Sequence, residues 1–189
     1  MMSRQPARRL AFAALVALAV AGLAGFLGVG IAAIGAAREN AALAGLAANR
    51  DVPAGPGSPL RVVEARAAWL LGRDQIEQAE ALGPLIVASA DAHAMRTWYY
   101  NLGNARLRRG FELIEVRNLD DAEPQVALAK VAYRAALRAE PGFWEGKVNL
   151  DLAMRIVRDL PREEQEASED EAPPKALWTD LPGLPGGAP

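Results

Sequence analysis

Cysteine is absent and histidine occurs once, at His93. Disulfides, thiolate metal sites, haem attachment through paired cysteines and cysteine nucleophiles are therefore excluded. A zinc site would have to combine carboxylates with a single imidazole, an uncommon donor set. An excess of one charge is missing too. The net charge of −2 over 189 residues leaves no electrostatic footprint for nucleic acid. No glycine-rich phosphate loop is present, and the few serines stand without a His/Asp or Lys partner. After the first forty residues there is no two-residue alternation and no β-branched cluster, so strands are not expected. The fold class expected is all-α.

What is present is distributed in blocks. Residues 1–9 carry Arg4, Arg8 and Arg9 and no acid. Residues 10–37 contain no charged side chain, a run of 28. As a helix that run measures about 42 Å, against a hydrocarbon core of about 30 Å. Signal-peptide cores span about 7–15 residues, so an uncleaved anchor fits better than a cleaved leader. Basic residues precede the span, which predicts a cytoplasmic amino terminus and an exported remainder in a bacterial inner membrane. Within the span Ala24, Gly28, Ala32 and Ala36 form a small-residue stripe of the kind that lets helices approach.

Residues 38–58 read as a juxtamembrane segment and hinge, with Pro53, Gly55, Pro56, Gly57 and Ser58 near its end. Residues 59–161 have apolar side chains at helical spacing and many alanines. Helices are expected over about 59–71 and 74–88, with a turn at Gly72-Arg73-Asp74, Asp74 as N-cap, and a kink or break at Gly83-Pro84. A long helix should follow and run to Val116, then a loop at 118–123. Pro124 is expected in the first turn of the next helix, with Asp121 or Glu123 near its cap. A last helix over 144–160 is set off by Pro141-Gly142 and stopped by Pro161.

Tyr99-Tyr100-Asn101-Leu102-Gly103-Asn104-Ala105 resembles the first helix of a tetratricopeptide repeat, W-x2-L-G-x2-Y. Tyr99 takes the Trp position and Leu102-Gly103 the Leu-Gly pair, while Arg106 stands where the repeat has Tyr. Ala129, Tyr133, Ala136 and Pro141 match the second helix in type and spacing. Leu102 and Pro141 are 39 positions apart, against roughly 25 in the repeat pattern, so the hairpin is lengthened. Repeat hairpins bury a shared core and leave a concave face for a partner, and a simple small bundle is the alternative. The pattern predicts Gly103 facing Ala129 or Tyr133 where two helices approach.

Candidate chemistry is thin. His93, between Asp91 and Arg96, reads as a surface or capping histidine at a helix start. Asp120-Asp121-x-Glu123 lacks the ligand spacing of a calcium loop and reads as a solvated loop. Arg106, Arg108 and Arg109 form a basic cluster that either docks an acidic partner or is a solvated face paired with Glu112. Residues 162–189 carry a net −5 and are expected to be disordered. They end in a segment with Trp178, Leu181 and Leu184 beyond the acidic spacer. That segment is a candidate for docking a partner or the chain's own domain.

With the basic start and single span, the pieces Tyr-Asn-Leu-Gly-Asn, Ala-Tyr-Arg-Ala-Ala-Leu-Arg, Glu-Pro, Lys-Val-Asn-Leu-Asp-Leu-Ala and the closing Leu-Pro-Gly-Leu-Pro-Gly-Gly-Ala-Pro resemble the MxaK family. These are accessory proteins of PQQ-dependent methanol dehydrogenase. The resemblance implies a non-enzymatic role, without a cofactor of its own, in calcium insertion into that periplasmic enzyme. It also implies a MoxR-type AAA ATPase and membrane proteins with von Willebrand A domains as partners. The same motifs resemble TPR proteins of the Bat aerotolerance type, which accompany similar partners and would imply another client. An envelope hydrolase or metal-carrying enzyme is a further alternative, disfavoured by the single histidine and missing nucleophile motif.

Overall fold

The computed structural model describes residues 5–159, and every regular element among them is a helix. In chain order these are α1 (Gln5–Ala47), α2 (Leu60–Leu71), α3 (Ile76–Glu80), α4 (Gly83–Ala88), α5 (Ala92–Glu115), α6 (Leu119–Ala139) and α7 (Trp144–Asp159).

At 43 residues α1 is about 65 Å long. Its side chains from residue 12 to residue 38 are exposed, and the segment Phe12–Ala47 is long and apolar enough to cross a membrane. The helix does not stop where the apolar run stops. It continues through the expected juxtamembrane segment to Ala47, and its last turns pack on α2. Leu46 is buried. Glu39 pairs with Arg61 at 3.5 Å, and Asp51 pairs with Arg66. The helix ends in a left-handed cap at Asn49 (φ 65°), with the Arg50 amide donating to the Gly45 carbonyl at 2.9 Å.

Helix α2 buries Val62, and its Val63, Ala67, Leu70 and Leu71 pack with Ile76, Ala79, Leu82, Ile86, Ala94 and Trp98 in the first core cluster. The expected 74–88 helix is broken into α3 and α4 at Gly83, one residue before Pro84, because Pro84 fits the first turn of a new helix. Asp74 is not an N-cap. It is the left-handed residue that closes α2 (φ 59°), where the Gln75 amide donates to the Leu70 carbonyl at 3.1 Å. The sequence Gly72-Arg73-Asp74 offers two helix-ending residues, and the chain uses the second because an aspartate tolerates φ > 0.

Helices α5 and α6 form an antiparallel hairpin. A Cβ added at Gly103 would lie 2.6 Å from Tyr133 Cε1, and one at Gly110 would lie 2.8 Å from Val126 Cγ2. Seven residues onward along α5 thus match seven residues back along α6. Both glycines occupy sites where the facing side chain fills the space a methyl would need. Residues 119–123 are helical, contrary to the expected loop. Asn118 accepts from the Asp121 amide and sets the start of α6 a turn and a half earlier than Pro124 suggested. Pro124 is therefore the sixth residue of α6, and neither Asp121 nor Glu123 caps it. The acids Asp120 and Asp121 instead sit in the first turn, where the helix dipole favours them.

Helix α7 packs back on this hairpin through Ala153, fully buried in the second cluster with Leu107, Val126, Ala129 and Tyr133. Gly142 precedes it, and Phe143 meets Tyr100 edge-to-face with ring centroids 4.9 Å apart.

Candidate functional site

The core of the α5–α6 hairpin is made of small residues. Ala129, Ala136 and Ala122 are fully buried, as is Tyr133, the largest fully buried side chain. A tyrosine there brings a hydroxyl that must find a partner. Its Oη donates to Asn104 Oδ1 at 2.8 Å. Asn149 on α7 donates to the same oxygen at 2.8 Å and to Tyr100 Oη at 3.3 Å. Burial, and then the neighbouring Tyr100, push the Tyr133 phenol above its ordinary pKa, with the nearby Asn149 amide acting the other way. The hydroxyl is thus held as a donor, and one polar knot joins α5, α6 and α7.

Asn104, Tyr133 and Asn149 of this knot form the floor of a wide, open groove of about 320 Å³. Leu107, Phe111 and Leu152 form its apolar walls, and Glu112 and Glu115 stand at one end. Phe111 is 39% exposed and Leu152 42%, a large apolar surface for two residues that line one groove. On α7 the exposed stripe continues through Val148 and Trp144, at i and i−4. Among the described residues Asn104 Nδ2 and Asn149 Oδ1 have no hydrogen-bond partner. The floor therefore keeps one amide donor and one amide acceptor in reserve, the complement of a peptide group.

A second cleft of about 190 Å³ lies across the hairpin, lined by Tyr99, Leu102, Leu128, Val131, Ala132 and Ala135. It opens beside α3, which ends at Glu80.

The three arginines proposed as a docking cluster are held within the chain. Arg106 pairs with Glu80 at 2.7 Å and donates to Gln125 at 3.0 Å. Arg108 donates to the Leu71 carbonyl at 2.7 Å. Arg109 lies 3.6 Å from Asp74 and 3.4 Å from Glu112. They tie α5 to the α2–α3 corner. Glu64 on α2 is raised above its ordinary pKa, first by burial and then by Asp91, with His93 and Arg61 opposing. His93 itself is exposed, with its ring 2.9 Å from the Arg96 guanidinium, and the helix is capped by Asp91 instead.

Of the packing residues taken from the repeat pattern, Leu102 and Tyr99 border the first core cluster, half-buried. Gly103, Ala129, Tyr133 and Ala136 form the hairpin contact. Pro141 is exposed beyond α6. Trp178, Leu181 and Leu184 lie outside the described residues. The polar side chains Tyr100, Asn104 and Asn149 were not singled out from the sequence, nor were Leu107, Phe111, Glu115 and Leu152 of the groove. The signal was available, since an asparagine on the inner face of a helix beside Gly103 needs a polar partner, and Val148-Asn149-Leu150 places a second one in the same position on α7.

Fold and groove together define a class: a chain all-helical among the described residues, with one N-terminal helix long and apolar enough to cross a membrane, carrying a hairpin with an open, part-polar groove. Comparison with protein-family models, with curated proteins and with solved structures gives no match.

Proposed function

We propose that this chain is a membrane-anchored docking scaffold whose TPR-like α5–α7 groove holds a segment of a protein partner. The carrying observation is the groove itself: apolar walls at Leu107, Phe111 and Leu152 over a floor with a free amide donor and acceptor. Such a floor serves a peptide better than a reacting small molecule, because it orients an amide without offering a nucleophile or base. The apolar α1 would place the domain at the periplasmic face of an inner membrane, in line with the basic cluster before the span.

The client follows from the resemblance to the MxaK family carried by Tyr-Asn-Leu-Gly-Asn, Ala-Tyr-Arg-Ala-Ala-Leu-Arg and Lys-Val-Asn-Leu-Asp-Leu-Ala. It is maturation of PQQ-dependent methanol dehydrogenase by calcium insertion, alongside a MoxR-type ATPase and von Willebrand A-domain membrane proteins. The role is one of assembly and not of catalysis.

The test uses the tagged full-length chain in membranes of a methanol-oxidising cell. Phe111→Glu combined with Asn149→Leu should leave the chain in the membrane, abolish co-purification of its partners and yield dehydrogenase short of calcium. Added calcium should partly restore activity. Normal capture by the double variant would overturn the groove as the docking site. Capture of the ATPase and von Willebrand partners, with dehydrogenase calcium unchanged, would overturn the client and leave the scaffold.

A further inference from the structure

Resting on the reading of the α5–α7 groove as a docking site, we infer that its occupant is an extended partner segment with a basic side chain two residues from a large apolar one. The order of groups along the groove carries this. Asn104, then Leu107 and Phe111, then Glu112 and Glu115 follow one another along α5, and Asn149 and Leu152 of α7 line the same groove. From Asn104 to Glu115 is eleven positions, a rise of about 16 Å in a helix and the reach of about five extended residues. A helix would need a channel about 10 Å across and would keep its own amides paired, leaving the free groups of Asn104 and Asn149 unused. An extended strand presents unpaired N–H and C=O groups to them.

The second element is charge. Glu115 is exposed and has no ion-pair partner among the described residues. Glu112 has only the 3.4 Å contact with Arg109 one turn away. Arg108, the one cation lining the groove among the described residues, is committed to the Leu71 carbonyl. The neighbouring turns add Asp120, Asp121 and Glu123 against Arg117, so residues 108–123 hold five acids and three bases. That end of the groove attracts a cation and repels an acid. Phe111 and Glu115 are one helical turn apart, about 6 Å along the axis. Two residues of extended chain cover that distance and put both side chains on the same face. A basic residue over Glu115 therefore pairs with an apolar residue over Phe111 at i, i+2, in either chain direction.

The measurement is fluorescence anisotropy with the full-length chain in detergent and three labelled decapeptides of polar background. The first carries Lys-Ala-Leu at its centre, the second Glu-Ala-Leu, and the third repeats the first with N-methylated backbone amides. The Lys peptide should bind about ten-fold tighter than the Glu peptide, the scale of replacing attraction by repulsion at an exposed site. Added salt should shrink the difference. The Glu112→Gln, Glu115→Gln variant should bind both alike, and both substitutions are at exposed positions that do not touch the core. The N-methylated peptide should bind several-fold more weakly, because its amides cannot donate to Asn149. Equal binding of Lys and Glu peptides, or discrimination that survives in the Gln variant, overturns the charge assignment while leaving the groove a docking site. Binding of no peptide, even in a chain whose own Lys175-Ala176-Leu177 is changed to Glu-Ala-Glu, overturns the docking site itself. Binding that appears only after that change overturns the partner as occupant and names this chain's own carboxyl-terminal segment.

Discussion

At the scale of single residues, Gly103 and Tyr133 are the pair on which the hairpin depends. The tyrosine ring lies flat where a Cβ would be, 2.6–2.7 Å from it, and the ring cannot retreat because its hydroxyl is bonded to Asn104. Gly103→Leu should therefore overpack the contact and lower stability by about 1–3 kcal/mol, read as a fall in the urea midpoint of the full-length chain in detergent. An unchanged midpoint would show that α5 and α6 can separate at this point without cost. The Leu-Gly pair made this contact legible from sequence. Which aromatic goes inside was not. Trp98, Tyr99 and Tyr100 stand in a row on one helix, and spacing alone gives the repeat's Trp position to Tyr99. In the fold Trp98 is the buried one, with its ring against Gly83 of α4. Tyr100 turns the other way, to Tyr133 and Phe143. Each assignment depends on a neighbour distant in sequence, which helical periodicity does not encode.

At the scale of elements, helix interiors were readable, as were the bounds of α2 and α7 to within a residue, whereas the starts of α3 and α6 were not, for one physical reason. Ends are set by side chains that can close one helix or open the next. Asp74 closes α2 although its residue type suits an N-cap, and Asn118 opens α6 ahead of a stretch that composition marks as loop. The junction of α4 and α5 shows both devices in adjacent residues. Ala90 adopts φ 54°, a left-handed conformation in which the alanine Cβ crowds the following carbonyl oxygen. Asp91 accepts the Ala94 amide at 2.9 Å and starts α5. Ala90→Gly should raise stability by about 1 kcal/mol, and Asp91→Ala should lower it by about the same amount. The two denaturation midpoints, moving in opposite directions from neighbouring positions, check the assignment. A loss of stability in Ala90→Gly would mean that the junction is held by something other than these two caps.

At the scale of the molecule, the decisive feature is that α1 passes from its apolar stretch into the domain without a break. Glu39–Arg61 and Asp51–Arg66 clip its end and the following turn to α2, and Val52 occupies the space above Gly45. The apolar run from residue 10 to residue 37 was plain in the sequence, whereas the continuation to Ala47 was not, because Ala41 to Ala47 is weakly patterned and is held by packing. If α1 spans a membrane, the contacts of its last turns with α2 hold the domain close to the span, and the side on which α1 emerges decides where the groove lies. Orientation is governed by the basic residues flanking the span. Arg4, Arg8 and Arg9 precede it without an acid, while Arg38 is offset at once by Glu39. The amino terminus should therefore remain in the cytoplasm and the groove face the periplasm. A reporter active only after export, fused behind Pro161, should be active, and the same reporter fused ahead of Met1 should be silent. Changing Arg4, Arg8 and Arg9 to Glu while placing three lysines after Ala48 should reverse both signals, because that exchange moves the positive flank across the span. If the starting fusion at Pro161 is silent with intact protein in the membrane, the groove lies in the cytoplasm, and a periplasmic dehydrogenase cannot be its client.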